Sequence, residues 1–359
     1  MSDITEIDKN FAKHSVVYEG MKVYHITEPP FTIYGLYQPK PGDFRRMPQE
    51  LAQSISRGVD FVHTNTSGGR IRFKTDSSRI TLRSIMPKLC KFPHMPTTGT
   101  SCFDLYVDGA YCGPFNFGNG VQEETCVVCE ATLNAPNHGM HEVLIHFPLY
   151  NDVTDVYIAL DENAKIEKTD GYADETPVVF YGSSITQGGC ASHAGNAYPA
   201  ILSRKMDFNY INLGFSGACH GETAMAEYIA SLPMRAFVLD YDHNAGSVDQ
   251  LLQTHSAIYA CVRKHHPELP ILMITTADLH FGDTIEARKQ AIKETYRKAK
   301  QNGDERVWFL DGQTIYRTVG LDHCTVDTVH PNDLGFWCMA QVIGKKLQEM
   351  LTVCEKNSK

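Results

Sequence analysis

The character of the apolar segments changes once along this chain, and that single change limits the folds open to it. Up to about residue 170, brief runs alternate β-branched or aromatic residues with polar ones, at 31–37, 59–64, 70–74, 79–86, 103–107, 125–133, 142–147 and 153–159. Only turn signals separate them, among them Ser67-Gly68-Gly69, Asp108-Gly109, Gly118-Asn119-Gly120 and Asn137-His138-Gly139, whose residues tolerate the positive φ of tight turns. Helical periodicity is confined to one short piece at 48–55. Many short strands at regular spacing predict an antiparallel β-sandwich of jelly-roll-like type.

The polar stretch 167–175 ends this pattern. Beyond it, near-continuous apolar runs at 178–181, 210–213, 236–240, 271–275 and 307–310 alternate with helical patterns at 197–205, 223–230, 248–265 and 285–301. Asp283 and Glu286 fit a capping box before the last of these. A final helix opens near Pro331, with Phe336, Met339, Ala340, Ile343, Leu347 and Leu351 on one face. Strands apolar on both faces, joined through helices, predict a parallel sheet covered on both sides. A chain of 359 residues exceeds one ordinary core, so two domains are expected, 1–172 and 173–359.

Composition removes several function classes. The net charge is −9 and no Lys/Arg run stands out, which disfavours nucleic acid and anionic membrane as partners. No apolar stretch approaches the roughly 20 residues that span a bilayer, and the first residues lack the basic start and apolar run of a secretory signal. Eleven scattered cysteines then read as reduced thiols in a cytoplasmic protein. His141 to His146 resembles a zinc signature with the wrong spacing, and Cys126-Val127-Val128-Cys129 is a lone pair; both sit in strand patterns, which send such residues to opposite faces. His265-His266 reads as a solvated helix end. No metal and no cofactor is expected.

In a parallel sheet of this kind the reactive crevice lies beyond the carboxyl ends of the strands. The run Val178-Val179-Phe180-Tyr181-Gly182-Ser183-Ser184 carries an apolar strand into a serine ahead of a helix. There the hydroxyl can be exposed and aimed while helix N–H groups remain free. Asn212-Leu213-Gly214-Phe215-Ser216-Gly217 follows the next strand, and Asp240-Tyr241-Asp242-His243-Asn244 the third. Asp327-Thr328-Val329-His330 leads into the last helix and offers a base with an orienting acid; Asp322-His323 is a rival pair without the helix-entry position.

These four segments, in this order, resemble the nucleophile, glycine, asparagine and Asp-x-x-His blocks of the SGNH (GDSL-like) hydrolases, over roughly 176–354. Ser183 stands where an aspartate is usual, and Asn244 lacks the common Gly-x-Asn-Asp surroundings. Cys102-Phe103-Asp104-Leu105-Tyr106 is similar to the Gly-x-Asp-Leu-Tyr segment of the β-rich domain that precedes some members, with Cys102 in place of the glycine. The resemblance implies a three-layer, flavodoxin-like hydrolase domain behind the sandwich. It implies Ser184 as nucleophile, His330 as base and Asp327 as orienting acid. The Ser184 N–H, Gly217 N–H and Asn244 amide would form an oxyanion hole. It further implies a carbohydrate O-acetylesterase acting on a small-molecule or oligosaccharide ester, with Tyr241 and Trp337, beside Tyr181 and Phe215, as candidate sugar-stacking rings. A short-chain thioesterase or lysophospholipase-type hydrolase, and a non-catalytic carbohydrate-binding protein, are the alternatives.

Overall fold

The computed structural model describes residues 19–116, 127–135, 139–277 and 283–357; the turn at 118–120 and Cys126 lie outside them. The first half contains β1 (Met21–His25), β2 (Thr32–Tyr34), α1 (Gln49–Ile55), α2 (Arg57–Val62), β3 (Arg70–Thr75), β4 (Arg79–Met86), α3 (Thr97–Thr100), β5 (Asp104–Val107), β6 (Ala110–Pro114), β7 (Val127–Asn134), β8 (His141–His146), β9 (Asp155–Asp161) and β10 (Ile166–Glu167). One antiparallel sheet runs β1-β9-β4-β7; the other runs β10-β3-β8-β5-β6 with β2 beside β3. Alternation along the strands sends Ile71 and Phe73, Ile80 and Leu82, Val143 and Ile145, and Ile158 and Leu160 into one buried cluster between the sheets. This is a β-sandwich-like domain.

Segment 59–64, expected as a strand, is helical instead. The Ser56 hydroxyl accepts the Val59 N–H at 3.2 Å and Asp60 lies in the first turn of α2. A satisfied cap outweighs the β-propensity of two valines. Val59 and Val62 face inward and join the core of the second domain, whereas Phe61 is 69% exposed.

The second half contains β11 (Asp174–Gly182), α4 (Ser184–Gln187), α5 (Tyr198–Met206), β12 (Phe208–Gly214), α6 (Thr223–Ser231), β13 (Ala236–Asp240), α7 (Val248–His265), β14 (Ile271–Ile274), α8 (Asp283–Gln301), β15 (Val307–Leu310), α9 (Leu321–Cys324) and α10 (Asp333–Asn357). All five strands are parallel, in the order β12-β11-β13-β14-β15. Val179 and Tyr181 of β11 point into the core beneath α6, α7 and α8. Val178 and Phe180 point into the core beneath α5 and α10. Burial on both faces explains why these strands read as unbroken apolar runs.

Two buried arginines weld the halves together. Arg46 is 1% exposed and donates to the carbonyls of Gly214 and Val62; burial lowers its pKa to about 9. Arg70 donates to Tyr172 Oη, the Tyr210 carbonyl and Asn209 Oδ1, with its guanidinium 3.9 Å from the centre of the Tyr210 ring.

Candidate active site

Strand β11, flanked by β12 and β13, ends at Gly182, in register with Gly214 of β12 and Asp240 of β13. Three loops therefore leave the sheet side by side. Gly182 is required there, since a Cβ would lie 2.1 Å from Thr186 Oγ1 and 2.5 Å from the Asp240 carbonyl oxygen. Ser183 is the N-cap of α4, its hydroxyl accepting the Ile185 N–H at 3.2 Å. Serine thus does the capping an aspartate would do, and Ser184 is left as the first helical residue with its hydroxyl uncommitted to the cap. Its carbonyl accepts from Tyr150 Oη at 3.2 Å and from the Gly188 and Gly189 N–H groups at 3.0 and 2.8 Å. The serine is 8% exposed, so it is shielded but open on one side.

Ser184 Oγ lies 2.9 Å from His330 Nε2, and His330 Nδ1 lies 2.7 Å from Asp327 Oδ2. The short separation in sequence works because Thr328 takes a left-handed φ of 73°. The chain then doubles back, and Asp327 Oδ1 also accepts the His330 and Val329 N–H groups at 2.7 and 3.1 Å. Partial burial pushes the Asp327 carboxyl up, but the His330 and Val329 N–H groups and the imidazole outweigh it and hold the pKa at about 2. Asp327 is therefore a carboxylate across the working pH range. An acceptor at Nδ1 keeps the proton there and leaves Nε2 to receive one from the serine.

The glycine loop turns tightly. The Phe215 N–H bonds the Gly182 carbonyl at 2.8 Å, the Ala218 N–H bonds the Phe215 carbonyl at 3.0 Å, and Gly217 has φ 66° with open space where a Cβ would sit. Gln187 steadies it, accepting the Ser216 N–H at 2.9 Å and donating to Asn65 Oδ1 and the Leu149 carbonyl of the sandwich. The asparagine loop is pinned by Arg288, which donates to the Asp242 and Ala245 carbonyls, and by Asp242, which accepts the Thr276 N–H at 2.6 Å. Among the described residues, neither the Gly217 N–H nor the Asn244 side chain makes a hydrogen bond, and Asn244 Oδ1 is buried. Asp240, half-buried under this edge, accepts from Thr186 and Tyr198, both at 3.0 Å; burial and the nearby Asp242 raise its pKa to about 6.

The proposed sugar-stacking rings need correction. Tyr241 is fully buried, its hydroxyl donating to the His220 carbonyl at 2.7 Å, and Tyr181 and Phe215 are fully buried too. None has a ring face to offer. Trp337 is 46% exposed, but on the outer surface of α10, with Lys205 Nζ 3.7 Å from its ring centre. Asp322 and His323 form a loose, exposed pair 3.7 Å apart, while His141 bonds Asp108 and buried His146 faces Asp104 and Arg204. His266 is not simply solvated, since its Nε2 lies 2.8 Å from the Ala230 carbonyl.

A cavity of about 420 Å³ stands beside the glycine loop instead, lined by Ser216 and, from the sandwich half, Phe61, Val62, Asn65, Lys88, Leu89, Cys90, Lys91, Phe92, Tyr150 and Asp152. That volume suits a small ligand. Phe61 and Phe92 are 69% and 39% exposed. Sequence reasoning passed over them because they belong to the sandwich half, and no local pattern around Phe61 or Phe92 sets them apart. The same loop brings His94 against His330, their ring centres 5.6 Å apart. Cys190, just past α4, is 5% exposed with φ 71°, and burial with the nearby Asp327 carboxylate raises its thiol to about 12.

Residues 175–348 match the GDSL-like lipase/acylhydrolase family, and residues 21–166 match the family described as the N-terminus of SGNH-hydrolase-type esterases. The chain belongs to the SGNH-type, GDSL-like esterases, with their β-rich domain in front. A Bacteroides ovatus protein described as a GDSL-like lipase is similar at 28% identity and TM-score 0.82, over 92% of this chain and 98% of that one. A salicylyl-acyltransferase from a tetracycline biosynthetic pathway matches at 20% and 0.75, again over 92% and 98%. An acetyl xylan esterase from Butyrivibrio proteoclasticus shares the fold at 13% and 0.58, over 92% and 99%. No curated protein matches the sequence.

Proposed function

We propose that this protein is a serine esterase that removes short acyl groups, acetyl above all, from carbohydrates through an acyl-enzyme. The observation that carries this reading is the continuous hydrogen-bonded chain from Ser184 Oγ through His330 to Asp327, at 2.9 and 2.7 Å. Ser184 Oγ attacks the ester carbonyl as His330 Nε2 takes its proton, and the Asp327 carboxylate stabilises the imidazolium. The oxyanion meets the N–H groups of Ser184 and Gly217 and the Asn244 amide, each donor worth about 3–4 kcal/mol of barrier. His330 returns the proton to the leaving alcohol. Water, deprotonated by the same imidazole, then releases the acid.

Carbohydrate as the alcohol is supported by the neighbouring cavity. Phe61, with Lys88 Nζ 5.5 Å from its ring centre, and Phe92 offer exposed aromatic surface, and Lys88, Tyr150 and Asp152 offer polar groups, the usual mixture for orienting a polar ligand on apolar walls. The same two-part fold serves the acetyl xylan esterase named above. The reading includes a cytoplasmic setting and soluble oligosaccharides as substrates; ten described cysteines without disulfides are consistent with it. A series of aryl esters of increasing acyl length tests the acyl preference, and acetate release from acetylated oligosaccharides tests the alcohol. Fast turnover of acetyl and none of octanoyl is expected. Equal or faster turnover of long chains removes the acetylesterase reading.

A further inference from the structure

Three potential metal ligands from separate segments meet at the catalytic edge. His94 comes from the loop between β4 and β5, Cys190 from the turn after α4, and His330 from the entry to α10; one ligand atom of each lies within 4.8 Å of the others. From the geometry we infer that a zinc-class divalent cation binds His94, Cys190 and His330 and switches the esterase off.

The donor set is a borderline-soft one, two imidazoles and a thiolate, which suits zinc and leaves a fourth position for water. A tetrahedral ion with bonds near 2.0–2.3 Å needs its ligand atoms about 3.5 Å apart. Closing the remaining distance takes side-chain rotation, to which His94, only partly buried and bonding no described residue through its ring nitrogens, contributes. His330 is already prepared as a ligand. Asp327 accepts its Nδ1–H at 2.7 Å, the carboxylate–histidine–metal arrangement that fixes the tautomer and strengthens the free nitrogen as a donor. Nε2 is the nitrogen left for the ion, and it is the one that Ser184 Oγ meets at 2.9 Å.

The balance is simple. Cys190 gives one proton to solvent and its sulfur lone pair to the ion, and the Nε2 lone pair is taken up by the metal. Ser184 keeps its proton, because the base that would remove it is occupied. The inhibition half of this proposal rests on the esterase reading above, whereas the binding half does not.

The test uses chelator-washed full-length protein, with Cys190→Ser and His94→Ala variants, an activated acetyl ester, zinc chloride and EDTA. Hydrolysis by the unaltered protein should stop as zinc is added and return with EDTA. Both variants should hydrolyse normally without zinc and need at least about tenfold more of it for half-inhibition, the scale on which even supporting partners of a metal ligand act. Cadmium chloride, followed through its ultraviolet thiolate charge-transfer band, should give one equivalent more in the unaltered protein than in Cys190→Ser. Equal zinc sensitivity in all three proteins, or identical cadmium titrations, overturns the site. If no protein hydrolyses the ester, the cadmium difference alone decides the site, and the missing turnover counts against the esterase reading.

Discussion

Two carboxylate–imidazole pairs in this molecule look alike and sit in different surroundings. Asp327 and His330 meet at 2.7 Å at the crevice mouth, with side chains 38% and 21% exposed. Asp104 and His193 meet at 2.5 Å where the sandwich docks on the hydrolase half, with side chains 0% and 10% exposed. Burial raises the Asp104 pKa, but His146, His193 and the Gly195 N–H together pull it below its ordinary value. What differs is the far side of each imidazole. His330 presents Nε2 to a serine hydroxyl, whereas among the described residues the His193 Nε2 meets no hydroxyl, and its ring face is stacked on Tyr111, ring centres 4.2 Å apart. The Gly195 N–H also donates to Asp104, at 2.7 Å. An aspartate–histidine contact is therefore no signature of catalysis. Its meaning is set by what the second nitrogen can reach.

Substitution should separate the two pairs cleanly. Ser184→Ala or His330→Ala is expected to lower kcat by about 10⁴-fold or more, with no change in the thermal midpoint, as aryl-acetate kinetics and calorimetry on one sample would show. Asp327→Asn should be milder by about two orders of magnitude, because the imidazole remains in place. Asp104→Ala should do the reverse. Losing one member of a buried pair costs about 3–5 kcal/mol of unfolding free energy, read by urea denaturation, while kcat of the folded fraction stays within a few-fold. A large kcat loss at Asp104 would erase the distinction.

Smaller changes sharpen it. Asn244→Ala should reduce kcat by about 10²–10³-fold with KM nearly unchanged, since that amide is assigned to the oxyanion and not to the ground state. A rise in KM instead would make Asn244 a substrate contact. Phe61→Ala should raise KM for an acetylated oligosaccharide about fivefold, a loss near 1 kcal/mol, and leave KM for a small aryl acetate alone. Its 69% exposure means stability should not change.

Much of this was legible in residue order, and the reason is physical. Strands buried on both faces must be apolar throughout, so β13, α7 and β15 occupy the segments that the pattern marks. Residues that leave the ends of adjacent parallel strands must be neighbours, which brings Gly182, Gly214 and Asp240 into one register. Direction is what sequence hides. Tyr241 and Phe215 follow strands at the carboxyl edge of the sheet but turn into the core, Phe215 as a wholly apolar ring and Tyr241 because its hydroxyl is satisfied there by the His220 carbonyl. The 59–64 segment misled for a local reason, the Ser56 cap, and with it went Phe61. The cavity wall was invisible because Phe61, Lys88 and Phe92 reach the crevice from the other domain, and no spacing in one segment reports a contact with another. The Phe103-Asp104-Leu105-Tyr106 run shows its purpose only in three dimensions. Asp104 ties down His193 and Gly195, and a Cβ on Gly195 would lie 2.5 Å from Tyr106 Oη.

The central claim is that His330, held by Asp327, makes Ser184 a nucleophile. A fluorophosphonate reports this directly. The intact protein should gain one adduct, and peptide mass spectrometry should place it on Ser184, with the rate falling by orders of magnitude in His330→Ala. An adduct on another residue, or labelling of Ser184 at an unchanged rate without His330, would contradict the account.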